Sequence, residues 1–328
     1  MRTRFPLSLF SRVIAFCGAL AVFFCIGASS THAFTVSPVL VDLDVSSGTS
    51  HQGVMTITNT DDQTRTYTVS TRKFVAKGED GQQDFLPEED QSGLASWIVP
   101  ERRTVILEPG QTLPFSYSVV VPNGAEPGGH YAALFFSDRS EAIEASVGAS
   151  AKIGVLFLVN VPGNSVEAAN VEAFRSTSDR IDHLPARFEL RVRNLGSAHV
   201  RLTGSVVIRN MLGATVARIP ANPSGAAILP NSIRRLEPVW TKLFETKKEG
   251  FIAGLQNEWR NFGIGKYTAN LEAIHGNAAR PLTATTTFWV IPWRIPLAAV
   301  GIIFVLFVLM RLYNRAIVRT ALRKRSRS

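Results

Sequence analysis

The chain has 328 residues and carries 35 Lys and Arg against 26 Asp and Glu, a formal charge of +9. That length allows two ordinary domains with cores of their own, and the charge taken alone suggests a polyanionic partner. Its distribution excludes a nucleic-acid-binding body. Arg2, Arg4 and Arg12 stand at one end, Arg311, Arg315, Arg319, Arg323, Lys324, Arg325 and Arg327 at the other, and the stretch between them is close to neutral.

The first basic residues precede an apolar stretch, Val13 to Ile26, and the small-residue segment "GASSTHA". This is the order of parts in a secretory signal peptide, expected over 1–33 with cleavage after Ala33. Both cysteines, Cys17 and Cys25, lie inside it, so the exported chain is expected to lack a disulfide, a thiolate metal site and a Cys nucleophile. The one Asn-X-Ser/Thr acceptor beyond it, Asn222, is blocked by Pro223; with no disulfides, this composition points to a bacterial rather than an animal surface.

From Phe34 onward the pattern is β. "FSYSVVV" alternates Phe115, Tyr117, Val119 and Val121 against Ser116 and Ser118, and "FELRVR" alternates Phe188, Leu190 and Val192 against Glu189, Arg191 and Arg193. Further strands are predicted at Val39 to Val45, Val54 to Asn59, Thr66 to Thr71, Thr104 to Leu107, Tyr131 to Phe136, Val155 to Val161, Ser205 to Asn210, Tyr267 to Ile274 and Thr283 to Val290. Short strands separated by Gly, Pro and Asn turns predict an all-β fold of two tandem immunoglobulin-like sandwiches, 34–162 and 163–287, divided at "NVPGNS". The halves echo each other: an apolar strand ends in Asn59 and again in Asn194, a proline turn follows at Pro109 and Pro230, and a Gly-then-Tyr strand entry comes at Tyr131 and Tyr267. Both tyrosines are expected in the sandwich cores, with ligand contact the second reading.

The second half carries an insertion over 240–262. In "EGFIAGLQNEWRNFGIG", Phe251, Leu255 and Trp259 follow i, i+4, i+8 spacing, and Ile252 and Phe262 widen the stripe into a short amphipathic helix. The stripe is expected to pack on its own sandwich; the other reading is contact with a partner protein or the membrane surface. A transmembrane helix is predicted over 288–310, flanked by Trp289, Trp293, Arg294 and Arg311, with the basic tail 311–328 held in the cytoplasm and everything before the span outside.

No hydrolase elbow, P-loop, zinc-protease or penicillin-binding signature occurs, and His51, His130, His183, His199 and His275 are scattered singly, so no catalytic residue, metal or cofactor is expected. Glu88, Glu89 and Asp90 in "PEEDQSG" read as a solvated turn before they read as a glycosidase pair, and "AKGEDGQQDF" reads as a hairpin turn around Asp80 and Gly81. The ligand-contact candidates of the first sandwich are Gly128, Gly129, His130 and Tyr131 on a Gly-rich turn, together with Trp97; those of the second are Phe251, Leu255, Trp259 and Phe262.

The stretches "VSPVLVDLDVSSG", "ITNTDDQTRTYTV", "LEPGQTLPFSYSVVVP", "PGGHYAALFF", "RVRNLGS", "GKYTANLEA" and "FWVIPW", in this order, resemble the WxL-interacting cell-surface proteins of bacteria. The resemblance implies a non-enzymatic surface protein with a first domain binding peptidoglycan or another wall polymer, a second binding a surface or host protein, one C-terminal span in lipid and a short basic tail. The first half also looks like the leading domain of periplasmic pilus chaperones, which gives an alternative reading as an assembly factor. Those chaperones are soluble and hold a subunit's C-terminal carboxylate with basic residues, one on the first strand, whereas Phe34 to Gly48 here contains no Lys or Arg. A cell-wall hydrolase is the third reading and would need a converging carboxylate pair.

Overall fold

The computed structural model describes residues 34–138, 152–242, 250–276 and 278–325; the expected signal peptide lies outside the described residues. The first sandwich is built from β1 (Phe34–Ser37), β2 (Leu40–Asp44), β3 (Ser50–Asn59), β4 (Arg65–Lys77), β5 (Gln82–Phe85), the short helix α1 (Leu94–Trp97), β6 (Ile98–Pro100), β7 (Thr104–Leu107), β8 (Thr112–Val120), β9 (Gly128–Asp138) and β10 (Lys152–Val161). The second contains β11 (Ala169–Ser176), β12 (Arg180–Ile181), β13 (Ala186–Asn194), β14 (Val200–Arg209), β15 (Thr215–Pro220), β16 (Ala227–Ile228), β17 (Ile233–Leu236), β18 (Val239–Trp240), the helix α2 (Phe251–Arg260), β19 (Gly265–His275) and β20 (Arg280–Val290). A long helix, α3 (Arg294–Arg325), follows.

One sheet of the first sandwich runs β1-β3-β8-β6 and the other β2-β10-β9-β4-β5, with β7 also on β4. The second repeats the plan with β11-β13-β17, β18 also on β13, facing β12-β20-β19-β14-β15, β16 also on β14. In both, the opening strand pairs antiparallel in one sheet and the chain then crosses to pair parallel with the last strand of the other, Val41 opposite Phe157 and Ile181 opposite Val290. The period-2 pattern sets what fills each core: Phe115, Tyr117 and Val119 point inward with Met55, Ile57, Phe136 and Phe157, and Phe188, Leu190 and Val192 with Trp240, Leu271 and Phe288.

The repeated strand-ending asparagines do the same work twice. Asn59 Nδ2 donates to the carbonyls of Gln63 (2.8 Å) and Leu107 (3.1 Å) while its Oδ1 accepts from the Asp61 amide (3.1 Å). Asn194 Nδ2 donates to Ala198 and Ile228 (both 2.8 Å) while its Oδ1 accepts from the Gly196 amide (2.8 Å). Each amide therefore ties the turn after its strand to the end of a strand arriving from elsewhere, in a site closed to water.

Three expectations change. Tyr267 is buried in its core, stacked on Phe288 with centroids 5.7 Å apart, but Tyr131 is not in a sandwich core. On β9 the inward positions are Ala132, Leu134 and Phe136, so Tyr131 points from the opposite face, toward the second sandwich. The apolar helix does not begin at 288: Phe288 and Val290 alternate inward to complete β20, and α3 starts at Arg294 and continues through the tail to Arg325. Its segment Arg294–Arg315, 22 residues with mean hydropathy 2.5, is long and apolar enough to cross a bilayer. Last, α2 turns its apolar stripe outward. The inward face is taken by Ala253, Asn257 and Glu258, because Glu258 is needed at the start of α3.

Candidate binding cleft between the two sandwiches

The chain passes between sandwiches across residues 162–168, and the two then fold against each other around a third apolar cluster of Phe74, Ala133, Phe135 and Leu158, with Phe85, Tyr131, Leu156, Ala227 and Leu229 packed on it. All the first-sandwich members lie on the outward face of the sheet that holds β9 and β10. That face is apolar because it is covered by the second domain, which is why β9 reads as a nearly continuous apolar run.

Two polar clamps flank the cluster. The β4–β5 hairpin, whose turn spans Gly78 to Gly81, reaches over the second sandwich: Arg191 Nε donates to Glu79 Oε2 (2.6 Å), Arg235 pairs with Asp80 (2.5 Å), and the Arg235 amide donates to the Glu79 carbonyl (2.8 Å). The hydrogen bond from Arg191, against a smaller effect of burial, holds the Glu79 carboxyl below its ordinary value. On the other side Asp42 of β2 receives His199 Nε2 (3.1 Å) and Arg201, and His199 Nδ1 lies 3.4 Å from the Tyr131 hydroxyl. Burial opposes ionisation of Asp42, but His199 and Arg201 together bring its carboxyl below the usual range, while burial pushes the Tyr131 hydroxyl up. Part-exposed pairs of this kind add little stability, because water screens them and long side chains must be held still. The apolar cluster holds the junction together, and the clamps fix its angle.

The Gly-rich turn belongs to this junction. Gly128 has φ +132°, and a Cβ there would stand 2.8 Å from the Ser197 carbonyl oxygen; the Gly129 amide donates to that same oxygen (2.9 Å). His130 Nε2 donates to the Glu126 carbonyl (2.9 Å), and its ring lies 4.4 Å from that of Trp97, which is buried on α1. The structure thus brings Gly128, Gly129 and Tyr131 together between the sandwiches, and pairs His130 with Trp97 beside the first core. Phe251, Leu255, Trp259 and Phe262 lie elsewhere, where α3 begins.

Between the clamps is a cavity of about 150 Å³, the size of one large apolar side chain. Leu40, Phe74, Leu156 and Leu158 form one wall, and Ala227, Leu229, Ile233 and Arg234 the other. Arg234 packs its guanidinium on the backbone of Gly81, where any Cβ would collide with it. Among the described residues its buried Nε has no hydrogen-bond partner. Burial pushes this guanidinium down from its ordinary value, with the Asp80 charge opposing. An unpaired donor beside an apolar cavity is a recognition element: it rewards a ligand that offers an apolar group and an acceptor oxygen a few ångströms apart. Nothing in the sequence singles out Asp42, Glu79, His199, Arg201 or Arg234 for this junction, since residues more than a hundred positions apart carry no spacing signal.

No family model matches the chain, and no curated protein sequence matches it. Among solved structures it is similar to the class 5 fimbriae chaperone CfaA (12% identity over 77% of this chain and 99% of that one, TM-score 0.37). It is also similar to the CsuC–CsuE chaperone–tip adhesion subunit pre-assembly complex of Acinetobacter baumannii (10%, 77% and 98%, TM-score 0.36). The E. coli chaperone DraB is a third (9%, 79% and 98%, TM-score 0.35).

Proposed function

We propose that this chain is a non-enzymatic, membrane-anchored binding protein whose cleft takes an extended segment of a protein partner, in the manner of an assembly factor for exported proteins. The observation that carries this reading is the cavity beside Arg234: mostly apolar walls with the buried, unpaired Nε of Arg234 among the described residues beside them. An extended polypeptide offers an apolar side chain and a carbonyl or carboxylate oxygen within one residue of each other, which suits both halves of the site. A wall polysaccharide is held through broad ring-stacking faces and many polar partners, whereas this lining is mostly aliphatic, with Phe74 its one aromatic ring and Gln82, Gln83, Ser232 and Arg234 its polar members. Of the five residues expected to meet a wall polymer, Trp97 and Gly128 are buried, and Gly129, His130 and Tyr131 are half-buried. In this reading Arg294–Arg315 crosses the membrane, the positive charge after Arg311 keeps the tail in the cytoplasm, and both sandwiches stand outside.

The test is selection of displayed peptides on the full chain held in lipid nanodiscs. The reading predicts enrichment of segments carrying a large apolar residue next to a free carboxylate or an unhindered backbone carbonyl, and a severalfold loss of their binding in Arg234→Ala. Failure to enrich any peptide, with retention of the chain on isolated wall sacculi, would replace it with the wall-polymer reading.

A further inference from the structure

The end of the second sandwich from which α3 leaves is unusual in what it shows to solvent. Three separate segments meet there. The β14–β15 turn presents Met211 and Leu212, the latter 86% exposed; α2 and the residues after it present Phe251, Ile252 (71%), Trp259 (73%), Phe262 and Ile264; and the β20–α3 connection presents Ile291 and Trp293. The geometry confirms the meeting: Met211 reaches the Gly265 backbone, Gly265 pairs with Val290, and Phe251 sits edge-on to Trp293 at 6.3 Å. Scattered exposed apolar residues are ordinary on a soluble surface, but a contiguous rim of large ones is not.

The helix α2 is also inverted relative to a helix of a water-soluble domain. Its polar Asn257 and Glu258 face inward while its aromatic stripe faces out. Glu258, closed to water, accepts the amides of Arg294 (2.9 Å) and Ile295 (3.0 Å) and the Arg294 guanidinium (3.0 Å), which also pairs with Asp182. These bonds satisfy the open amides at the start of α3 and lock α2 to it. The apolar rim is therefore rigidly continuous with the helix that is long and apolar enough to enter the bilayer. Around it Arg180, Lys242, Arg260 and Lys266 are exposed beside the exposed Asp179, whereas Asp182 and Glu258 at this end are already engaged with Arg294.

We propose that this end of the second sandwich is a lipid-docking surface: α2 lies in the plane of the outer leaflet with its stripe among the acyl chains, Leu212 and Ile264 dip in beside it, and the basic rim meets anionic headgroups. The arrangement fits an in-plane amphipathic helix, with aromatic residues at the interface and cations above them. It rests on the membrane-anchored reading above and deepens it, because a seated second sandwich fixes the height and direction of the cleft rather than leaving it on a free tether.

The test places single spin labels on the full chain in a background with Cys17→Ser and Cys25→Ser. The labelled variants are Ile252→Cys, Leu212→Cys, Val54→Cys on the exposed face of the first sandwich, and Val305→Cys within α3. Collision rates with oxygen and with a water-soluble nickel chelate are measured in vesicles of phosphatidylethanolamine and phosphatidylglycerol. Positions 252 and 212 are expected to show an oxygen-to-nickel ratio severalfold above that at 54 and below that at 305. A water-like ratio at 252 and 212 with a lipid-like one at 305 would overturn docking and leave the anchor standing, and a water-like ratio at 305 would remove the anchor itself. Shielding of 252 and 212 from both reagents would mean that protein, not lipid, covers the rim, and would also overturn the proposal.

Discussion

Replacing Asn194 by Ala tests whether the repeated asparagines are structural fasteners. Asn194 is fully buried and makes three hydrogen bonds, two donated to the carbonyls of Ala198 and Ile228 and one accepted from the Gly196 amide, all at 2.8 Å. Truncation leaves two carbonyls and one amide without these partners where water has little access. At about 1–3 kcal/mol for each stranded group, and allowing the turn to relax and recover part of it, the loss comes to about 3–5 kcal/mol. That is a large fraction of the roughly 5–15 kcal/mol that stabilises a typical domain. Asn194→Asp is expected to do more harm than Ala at neutral pH, since it turns a carboxylate toward the same two carbonyls. The assay is urea unfolding of the full chain in detergent, followed by fluorescence. With Trp259, Trp289 and Trp293 changed to Phe, Trp240 reports the second core and Trp97 the first, so Asn194→Ala should move the former transition and Asn59→Ala the latter. Thr58→Ala at a half-buried position, which loses one solvent-exposed hydroxyl contact with Thr112, should change either by less than about 0.5 kcal/mol. A loss below about 1 kcal/mol for Asn194→Ala would show that these asparagines are not fasteners, because the freed groups would then be finding other partners at little cost.

Three other outcomes are expected. Glu258→Ala removes the buried partner of Arg294 and uncaps α3, costing about 3 kcal/mol and showing as faster hydrogen exchange in α2 and the first turn of α3, with the first sandwich unchanged. His275 is buried and its imidazole is pushed below its ordinary value by burial and then by Arg280, so native His275 resists protonation. Its contribution is complete above about pH 6.5 and falls away as pH drops through the lowered value, and His275→Gln should flatten the acid limb of the second sandwich's stability curve. Asp42, held below the ordinary carboxylate value, stabilises the junction above about pH 4 and loses that contribution as pH falls further. Distances between spin labels on the two sandwiches should therefore broaden in acid, and in Asp42→Asn at neutral pH as well.

The sandwiches were legible in the sequence because each strand has one face in a core, and alternation such as Phe188, Leu190, Val192 records that directly. The asparagine echo was legible for a similar reason: the site is local, built by a residue and the turn two to four positions on. The junction was not. Tyr131 follows a glycine pair much as Tyr267 follows Gly265, yet one faces the neighbouring domain and the other its own core, and no local pattern separates the two. Asp42 with His199, and Glu79 with Arg191, join positions 157 and 112 apart by domain packing alone. The amphipathic period of α2 was visible, but periodicity gives a helix its two faces without saying which faces inward. Glu258, committed to the start of α3, decides that and sends Trp259 outward.

Whether the cleft beside Arg234 receives a protein segment is open to in-cell photo-crosslinking. A photoreactive residue would replace Leu229 on the cavity wall and, in separate chains, Val54 on the exposed side of the first sandwich. A cleft that binds a segment gives a discrete crosslinked protein at 229 that is absent at 54, with the attached residues falling in one short stretch of that protein, and loses it when Arg234→Ala is added. Crosslinking at 229 that matches 54, or that persists undiminished without the Arg234 guanidinium, would contradict segment binding there.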